Sequence, residues 1–417
     1  MAVFDEVERD VTRIVLPRWG GVAWVDDPVP WLVVDDHGAP VEPVRWFFRH
    51  LMAQGKASSS LRSYGYDLLR WWRWLQVIEV EWNKVTTAEV RDFVLWLRQA
   101  KKPRRHPRTQ SASTAGQVNP VTRKKNLGDG YEARTIRHSN AVLRSFYEYW
   151  ITDQGQGPLV NPVALDRAGR RANAHHNPLG PIRPEGRIRY NPKLPKQQPR
   201  AIPDEHWKKL FAGLRSNRDR AVLELSVSNG ARAAELLGMC PVDVDWGEQK
   251  IRVYRKGTRA AQWLPASPDA FIWLRLYLAE LGTPLEPNDP LWWTLRRRDR
   301  GDGLRRQPMN YEALRAVLRR ANVLLGTNYT MHDARHTSAI RMHRDDTLSL
   351  RDIQEILGHA HLSTTAETYL AEDTDAIIRR VAQHLAERER RAAQPPPSVA
   401  IGYDSADLNV LFGGTSR

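Results

Sequence analysis

The chain has 417 residues, 41% of them apolar, which suits two or three folded domains better than one core. One cysteine excludes an intramolecular disulfide and a multi-cysteine zinc site, and the absence of any run of about 18 apolar residues argues against a membrane helix. Residues 1–10 carry several acids and no signal-peptide core, so a soluble, cytoplasmic (nucleoid-associated) protein with no membrane partner is expected, with Cys240 a small buried residue. The formal net charge of +15 points to a polyanionic partner, and two segments hold it. Residues 98–125 contain nine Lys/Arg and no acid, and residues 166–200 contain nine against Asp166 and Glu185. These runs carry +9 and +7, leaving the rest near neutral. One-signed runs neutralise phosphates, so nucleic-acid contacts are expected from Arg104, Arg105, Lys124, Lys125, Arg183, Arg187 and Arg189. A bland basic linker is the alternative.

In chain order, residues 1–42 form a segment of unassigned role whose pattern allows a strand pair at 21–24 and 31–34. From Pro43 the period turns helical, with Val44, Phe47, Phe48 and Leu51 on one face. A second helix follows Ser58-Ser59-Ser60, read as caps, and carries Tyr64, Leu68, Leu69, Trp72 and Leu75. Thr86-Thr87 cap a third with Val90, Phe93, Val94 and Leu97, and a fourth spans 133–151. Trp71, Trp72, Trp74, Trp82 and Trp96 are read as core or groove fillers. Residues 43–164 thus make a small helical domain, interrupted by a basic insertion at 99–131 that is too long to be an idle loop. Residues 165–200, rich in Pro, Gly and Arg, read as an interdomain linker. A second domain, 201–393, predicts helices at 204–214, 218–227, 270–281, 310–324, 334–343, 350–357 and 374–391. It also predicts a hairpin of 250–254 and 262–265 around Lys256-Gly257. The tail, 394–417, opens on three prolines.

Four stretches of the second domain carry chemistry. Asn229-Gly230-Ala231-Arg232-Ala233-Ala234-Glu235-Leu236-Leu237-Gly238 places an Arg at a turn before a helix. Arg255-Lys256-Gly257 sits on the predicted hairpin, and Met331-His332-Asp333-Ala334-Arg335-His336-Thr337 gives His-x-x-Arg. Leu357-Gly358-His359 is followed, ten positions after the histidine, by Tyr369. Each alone is weak: an Arg on a helix, a Lys on a turn or a Tyr beside a helix is ordinarily surface or packing. Together and in this order they resemble the arginine box, lysine hairpin, His-x-x-Arg box and Leu-Gly-His box of the tyrosine recombinase (phage integrase) family. The resemblance covers about 43–390. Ala334 stands where Leu is common, Arg255 where Gly often precedes the lysine, and the histidine-to-tyrosine gap is one residue longer than in many members.

The resemblance implies a mostly α fold: an N-terminal helical core-binding (SAM-like) domain plus a C-terminal α-rich catalytic domain with a small β-hairpin or sheet, closing as a C-shaped clamp on duplex DNA. It implies Tyr369 as nucleophile, a 3′-phosphotyrosine link, a Holliday junction and a homotetramer in the synapse, with room for accessory DNA-bending or directionality proteins. His359 would hydrogen-bond the scissile phosphate. The chemistry independently suits these residue types. Arg232 and Arg335 can stabilise charge on phosphate oxygens, so neither a metal nor another cofactor is expected. Tyrosine, with a pKa near about 10, needs a base, and His332 is the candidate. Lys256 is placed to protonate the leaving 5′ oxygen. Glu235, His336 and His361 read as supports, Glu235 orienting an Arg and His336 packing behind its box. In the helix at 374–391, Ile377, Ile378, Val381 and Leu385 form an apolar stripe, which packs on its own domain or docks on the next protomer. Two alternatives stay open: a type IB topoisomerase-like nicking-closing enzyme and a catalytically retired DNA-binding module.

Overall fold

The computed structural model describes residues 9–103, 113–166, 187–194, 200–255, 258–299, 301, 303–345 and 347–358. The chain divides into two compact units, Met1–Lys196 and Gln197–Arg417, each with its own apolar core. Among the described residues no helix is long and apolar enough to cross a membrane.

The first unit is built on four helices, α1 (Glu42–Ala53), α2 (Ser58–Val77), α3 (Thr87–Gln99) and α4 (Ala133–Glu148). The apolar face predicted for α1, Val44, Phe47, Phe48 and Leu51, is the face it buries. At α3 the capping signal works as read: Thr86 Oγ1 accepts from Ala88 N at 3.2 Å, and the Glu89 carboxylate accepts from Thr86 N at 2.8 Å. At α2 it does not. The three serines form the first helical turn after an uncapped Ala57, and a residue with helical dihedrals has left the N-cap position. The fourth helix leaves α geometry after Glu148 and ends in a π turn, Tyr149–Asp153. Trp71, Trp74, Phe93, Phe146 and Tyr147 are fully buried, and Trp71 Nε1 donates to the Tyr147 hydroxyl at 2.9 Å. Burial of each such ring contributes about 1.5–3 kcal/mol. Trp72 and Trp82 meet Phe146 edge-to-face at the margin of this core.

The segment before α1 belongs to the same unit. Strands β1 (Gly21–Trp24) and β2 (Trp31–Val34) pair antiparallel, Gly21 opposite Val34 and Trp24 opposite Trp31. This ribbon lies on α2, where Gly65 makes room: a Cβ there would stand 3.2 Å from a Val22 methyl. Arg73 Nε donates to Trp19 O at 2.6 Å, Trp96 Nε1 to Ile14 O at 2.9 Å, and Arg9 pairs with Glu89 and Asp92. Within the basic insertion, residues 113–131 fold back on themselves. Val118 bridges Lys125, Lys101 bridges Gly130, and Asn119 Oδ1 accepts from Val121 N and Thr122 N at 3.0 and 2.9 Å. Inside the stretch read as a linker, β3 (Leu165–Asp166) pairs with β4 (Arg187–Ile188). Ile188 and Tyr190 pack on the first core, and Asn140 Nδ2 donates to Asn191 Oδ1 at 2.9 Å.

The second unit holds α5 (Asp204–Ala212), α6 (Asn217–Asn229), α7 (Ala233–Leu237) and a three-stranded antiparallel sheet of β5 (Val244–Asp245), β6 (Lys250–Tyr254) and β7 (Ala261–Pro265). After these come α8 (Pro268–Leu281), the ribbon β8 (Arg298–Asp299) and β9 (Leu304–Arg305), α9 (Tyr311–Leu325), α10 (Met331–His343) and α11 (Leu350–Leu357). The predicted hairpin is thus β6–β7 with a third, two-residue strand alongside. Helix α6 packs against both α8 and α10, with Ala221, Val222, Leu223 and Leu225 fully buried. Cys240 is only half-buried, its Sγ 3.4 Å from Asn288 O, because it starts a 3₁₀ turn at the surface of the core; the expectation of a buried residue is corrected. The helix expected at 374–391 and the tail lie outside the described residues.

Candidate active site

Three of the four motif stretches meet where α6, α10 and α11 converge. Helix α6 ends at Gly230, whose φ of +69° is the left-handed conformation that lets the chain turn back toward Arg232. Its Cα faces the other two elements: a Cβ at Gly230 would lie 2.7 Å from Leu357 Cδ2 and 3.3 Å from Ser338 Oγ. Helix α10 delivers Arg335 into this junction. Arg335 is 4% exposed, and it donates from NH1 to Gly230 O at 2.5 Å and from NH2 to Leu357 O at 2.6 Å. One side chain therefore ties the arginine box to the end of α11. A small apolar cluster of Ala339, Ile353 and Leu357 fills the space between α10 and α11.

Arg232 sits at the N-cap of α7 and is more open, its side chain 32% exposed. Glu235, one turn on, accepts from the Arg232 backbone N at 2.9 Å and from its NH1 at 2.8 Å. Burial alone would push the Glu235 carboxyl upward. The Arg232 backbone bond and guanidinium, with Arg255, outweigh that and hold it below the usual carboxylate range. Arg255 reaches the same carboxylate, NH1 to Oε2 at 3.0 Å, from the end of β6. It also donates from Nε to Gln262 Oε1 at 2.7 Å and from NH2 to Ile356 O. In the sequence Arg255 stands out only as a departure from pattern. No local signal marks its role, because Glu235 and Ile356 lie 20 and 101 positions away.

His332, on the first turn of α10, is exposed, with its ring 4.3 Å from that of His336 in an edge-on contact. Thr330 and Asp333 form the capping box that starts this helix, fixing His332 and Arg335 one turn apart. Tyr329, the tyrosine nearest that box, is 6% exposed and its hydroxyl is 2.6 Å from His206 Nδ1. Burial, then Asp333, pushes its phenol upward, which makes it a poorer nucleophile.

Lys256, His359 and Tyr369 lie outside the described residues, as do Arg104, Arg105 and Arg183. The described chain reaches Arg255 and Gly358, the immediate neighbours of the first two. Of the expected DNA contacts, Lys124 and Lys125 stand on the folded tongue at 117–126, and Arg187 and Arg189 on and just after β4.

The phage integrase family model matches residues 201–375, and the phage integrase N-terminal SAM-like domain model matches residues 44–116. The chain is 25% identical over 362 residues to transposase A from transposon Tn554 of Staphylococcus aureus, covering 82% of this chain and 91% of that protein. It is 30% identical over 247 residues to the tyrosine recombinase XerA of Pyrococcus horikoshii, covering 57% of this chain and 83% of that one. In fold it resembles the Tn1549 transposon integrase solved in complex with circular intermediate DNA, at a TM-score of 0.53 and 12% identity over 81% of this chain and 98% of that one. The chain belongs to the phage integrase family of tyrosine recombinases. As a member, it is a DNA strand-exchange enzyme.

Proposed function

We propose that the chain cleaves and rejoins specific duplex DNA sites through a 3′-phosphotyrosine at Tyr369, and that Arg232, Arg335, His332, Lys256 and His359 serve that step. The observation that carries the reading is the pair of hydrogen bonds that Arg335 donates to Gly230 O and Leu357 O, which makes one centre of three separate motifs. A guanidinium has five N–H donors and these bonds use two, so by donor count they are compatible with a phosphate contact. Arg232, held by Glu235 on one edge and partly open, supplies the second guanidinium. As the Tyr369 oxygen bonds to phosphorus, its proton passes to His332. The bond from phosphorus to the 5′ oxygen breaks, and Lys256 delivers a proton to that oxygen. His359 hydrogen-bonds a non-bridging oxygen. The link stores the phosphodiester energy, and a 5′ hydroxyl from a partner duplex reverses it. Exchange between two duplexes proceeds through a Holliday junction in a homotetramer, helped at some sites by DNA-bending or directionality proteins. The basic tongue and the residues around β4 neutralise backbone phosphates.

The test is Tyr369→Phe. On a nicked suicide substrate the unmodified chain is expected to accumulate a denaturant-resistant protein–DNA adduct whose nucleotide maps to the peptide containing Tyr369. The variant should bind DNA normally and form none. An adduct on Tyr369→Phe would falsify the assignment of the nucleophile. Relaxed circles without joined sites would favour a topoisomerase-like activity, and a mobility shift without cleavage a binding module.

A further inference from the structure

We propose that Arg255 is the positioning residue of the lysine hairpin: its guanidinium anchors the neck of the loop bearing Lys256 to Glu235 and to the carbonyl end of α11. The neck is closed by Arg255 itself, whose backbone N donates to Ala260 O at 2.9 Å and whose carbonyl accepts from Arg259 N at 2.9 Å. Beyond the short β5 the hairpin is a two-stranded ribbon, β6 paired with β7, and such a ribbon is only marginally stable by itself. The Arg255 side chain removes that freedom. It is 6% exposed, and its planar fork meets three acceptors from three elements: Gln262 on β7, Glu235 on α7 and Ile356 O at the end of α11. Gln262 adds a parallel tie, donating from Nε2 to Glu355 O at 2.9 Å. A lysine, a point charge on a flexible stem, could satisfy one of these acceptors but not all three.

Space has been kept for this guanidinium. Gly358, with φ +61°, closes α11, and a Cβ there would stand 2.8 Å from Arg255 Nε and 3.0 Å from its Cζ. The glycine of Leu-Gly-His therefore meets two demands, a left-handed turn and a flat cation against its Cα. Charge adds a further consequence. Glu235 lies against two guanidiniums, so its single negative charge does not cancel Arg232, and the triad keeps a net positive charge. Arg255 and Gly358, the residues immediately before positions 256 and 359, are thereby held against one another.

The inference rests on the reading of Lys256 as the acid that protonates the leaving oxygen, and the experiment separates the two. Single-turnover cleavage by the full chain is measured on two nicked substrates, one with the natural oxygen at the scissile 5′ position and one with sulfur. A thiol is far more acidic than an alcohol, so sulfur leaves without an acid. Arg255→Met is expected to slow cleavage of the oxygen substrate about 10- to 100-fold, part of what a general acid contributes, with DNA affinity unchanged. On the sulfur substrate it should run near the unmodified rate, and Arg255→Lys should fall between. A merely structural role would slow both substrates alike, and that result, or no loss on oxygen, overturns the inference. Should Arg255→Met fail to fold, Gln262→Leu removes the bond from Arg255 Nε and the bond to Glu355 O but leaves Arg255 its other two acceptors, and should show a smaller defect that sulfur again restores. Lys256→Ala is the control. If sulfur fails to restore it, the acid assignment is wrong; if sulfur restores Lys256→Ala but neither neck variant, the anchor is wrong.

Discussion

At the scale of single residues, the junction under the site is set by contacts too close for a spare atom. Gly230 is the clearest case. Its left-handed φ disfavours any side chain by about 1–2 kcal/mol, and the methyl of alanine would press on Leu357 Cδ2 at 2.7 Å. Overpacking of a filled core costs about 1–3 kcal/mol more. Because the same glycine offers its carbonyl to Arg335, a shift that relieves the clash moves a proposed phosphate ligand. Gly230→Ala is therefore expected to lower the stability of the second unit by a few kcal/mol, read by denaturant unfolding, and to reduce cleavage more than DNA binding. A loss of binding as large as the loss of cleavage would mean the junction serves the fold and not the reacting centre. Arg232, His332 and Arg335 could be singled out in the sequence because each sits in a short local motif. Arg255 and Gln262 were not, since their partners, Glu235 and the last turn of α11, come close only in the folded chain.

Among elements, legibility follows length and periodicity. The apolar stripe of α1 and the capping box of α3 are local, and both elements form where they were read. The ribbon β1–β2 was visible as a pattern but its role was not, because Val22 meets Gly65 across 43 positions of chain. Strands β3, β4, β5, β8 and β9 have two residues each, too few to show alternation. The basic insertion is the element with most at stake. Read from the sequence as a basic loop too long to be idle, it contains a tongue pinned by Asn119 and by the Val118–Lys125 bridge, which holds Arg123, Lys124 and Lys125 together. A cluster held in place neutralises phosphates without first having to be ordered. Neutralising Lys124 and Lys125 to Gln is expected to weaken DNA binding and to flatten the dependence of log affinity on log salt by about one unit for each phosphate no longer neutralised. Asn119→Ala, which loosens the tongue but keeps its charge, should weaken binding with the slope retained. Filter-binding titrations across salt concentrations read both, and an unchanged slope in the double Gln variant would remove the tongue from the DNA interface.

For the whole molecule, the question is where the positive charge that stabilises a phosphodiester transition state comes from. Enzymes that use Mg²⁺ place a divalent ion against the non-bridging oxygens. Here the same oxygens are assigned to Arg232 and Arg335, with Lys256 for the leaving group. The net charge of +15 is concentrated elsewhere, in the basic segments proposed to neutralise backbone phosphates. Chemistry and binding should therefore separate experimentally. Salt should weaken binding steeply, whereas cleavage by already saturated enzyme should depend little on it, since a buried guanidinium such as Arg335 is poorly screened. Excess chelator should leave cleavage of a cognate site intact. The measurement is adduct formation on a nicked substrate at saturating enzyme, with and without chelator, alongside a mobility-shift titration under the same conditions. If cleavage vanished in chelator and returned with Mg²⁺ while binding never changed, the two guanidiniums would not suffice for the transition state, and the roles given to Arg232, Arg335 and Lys256 would have to be reassigned.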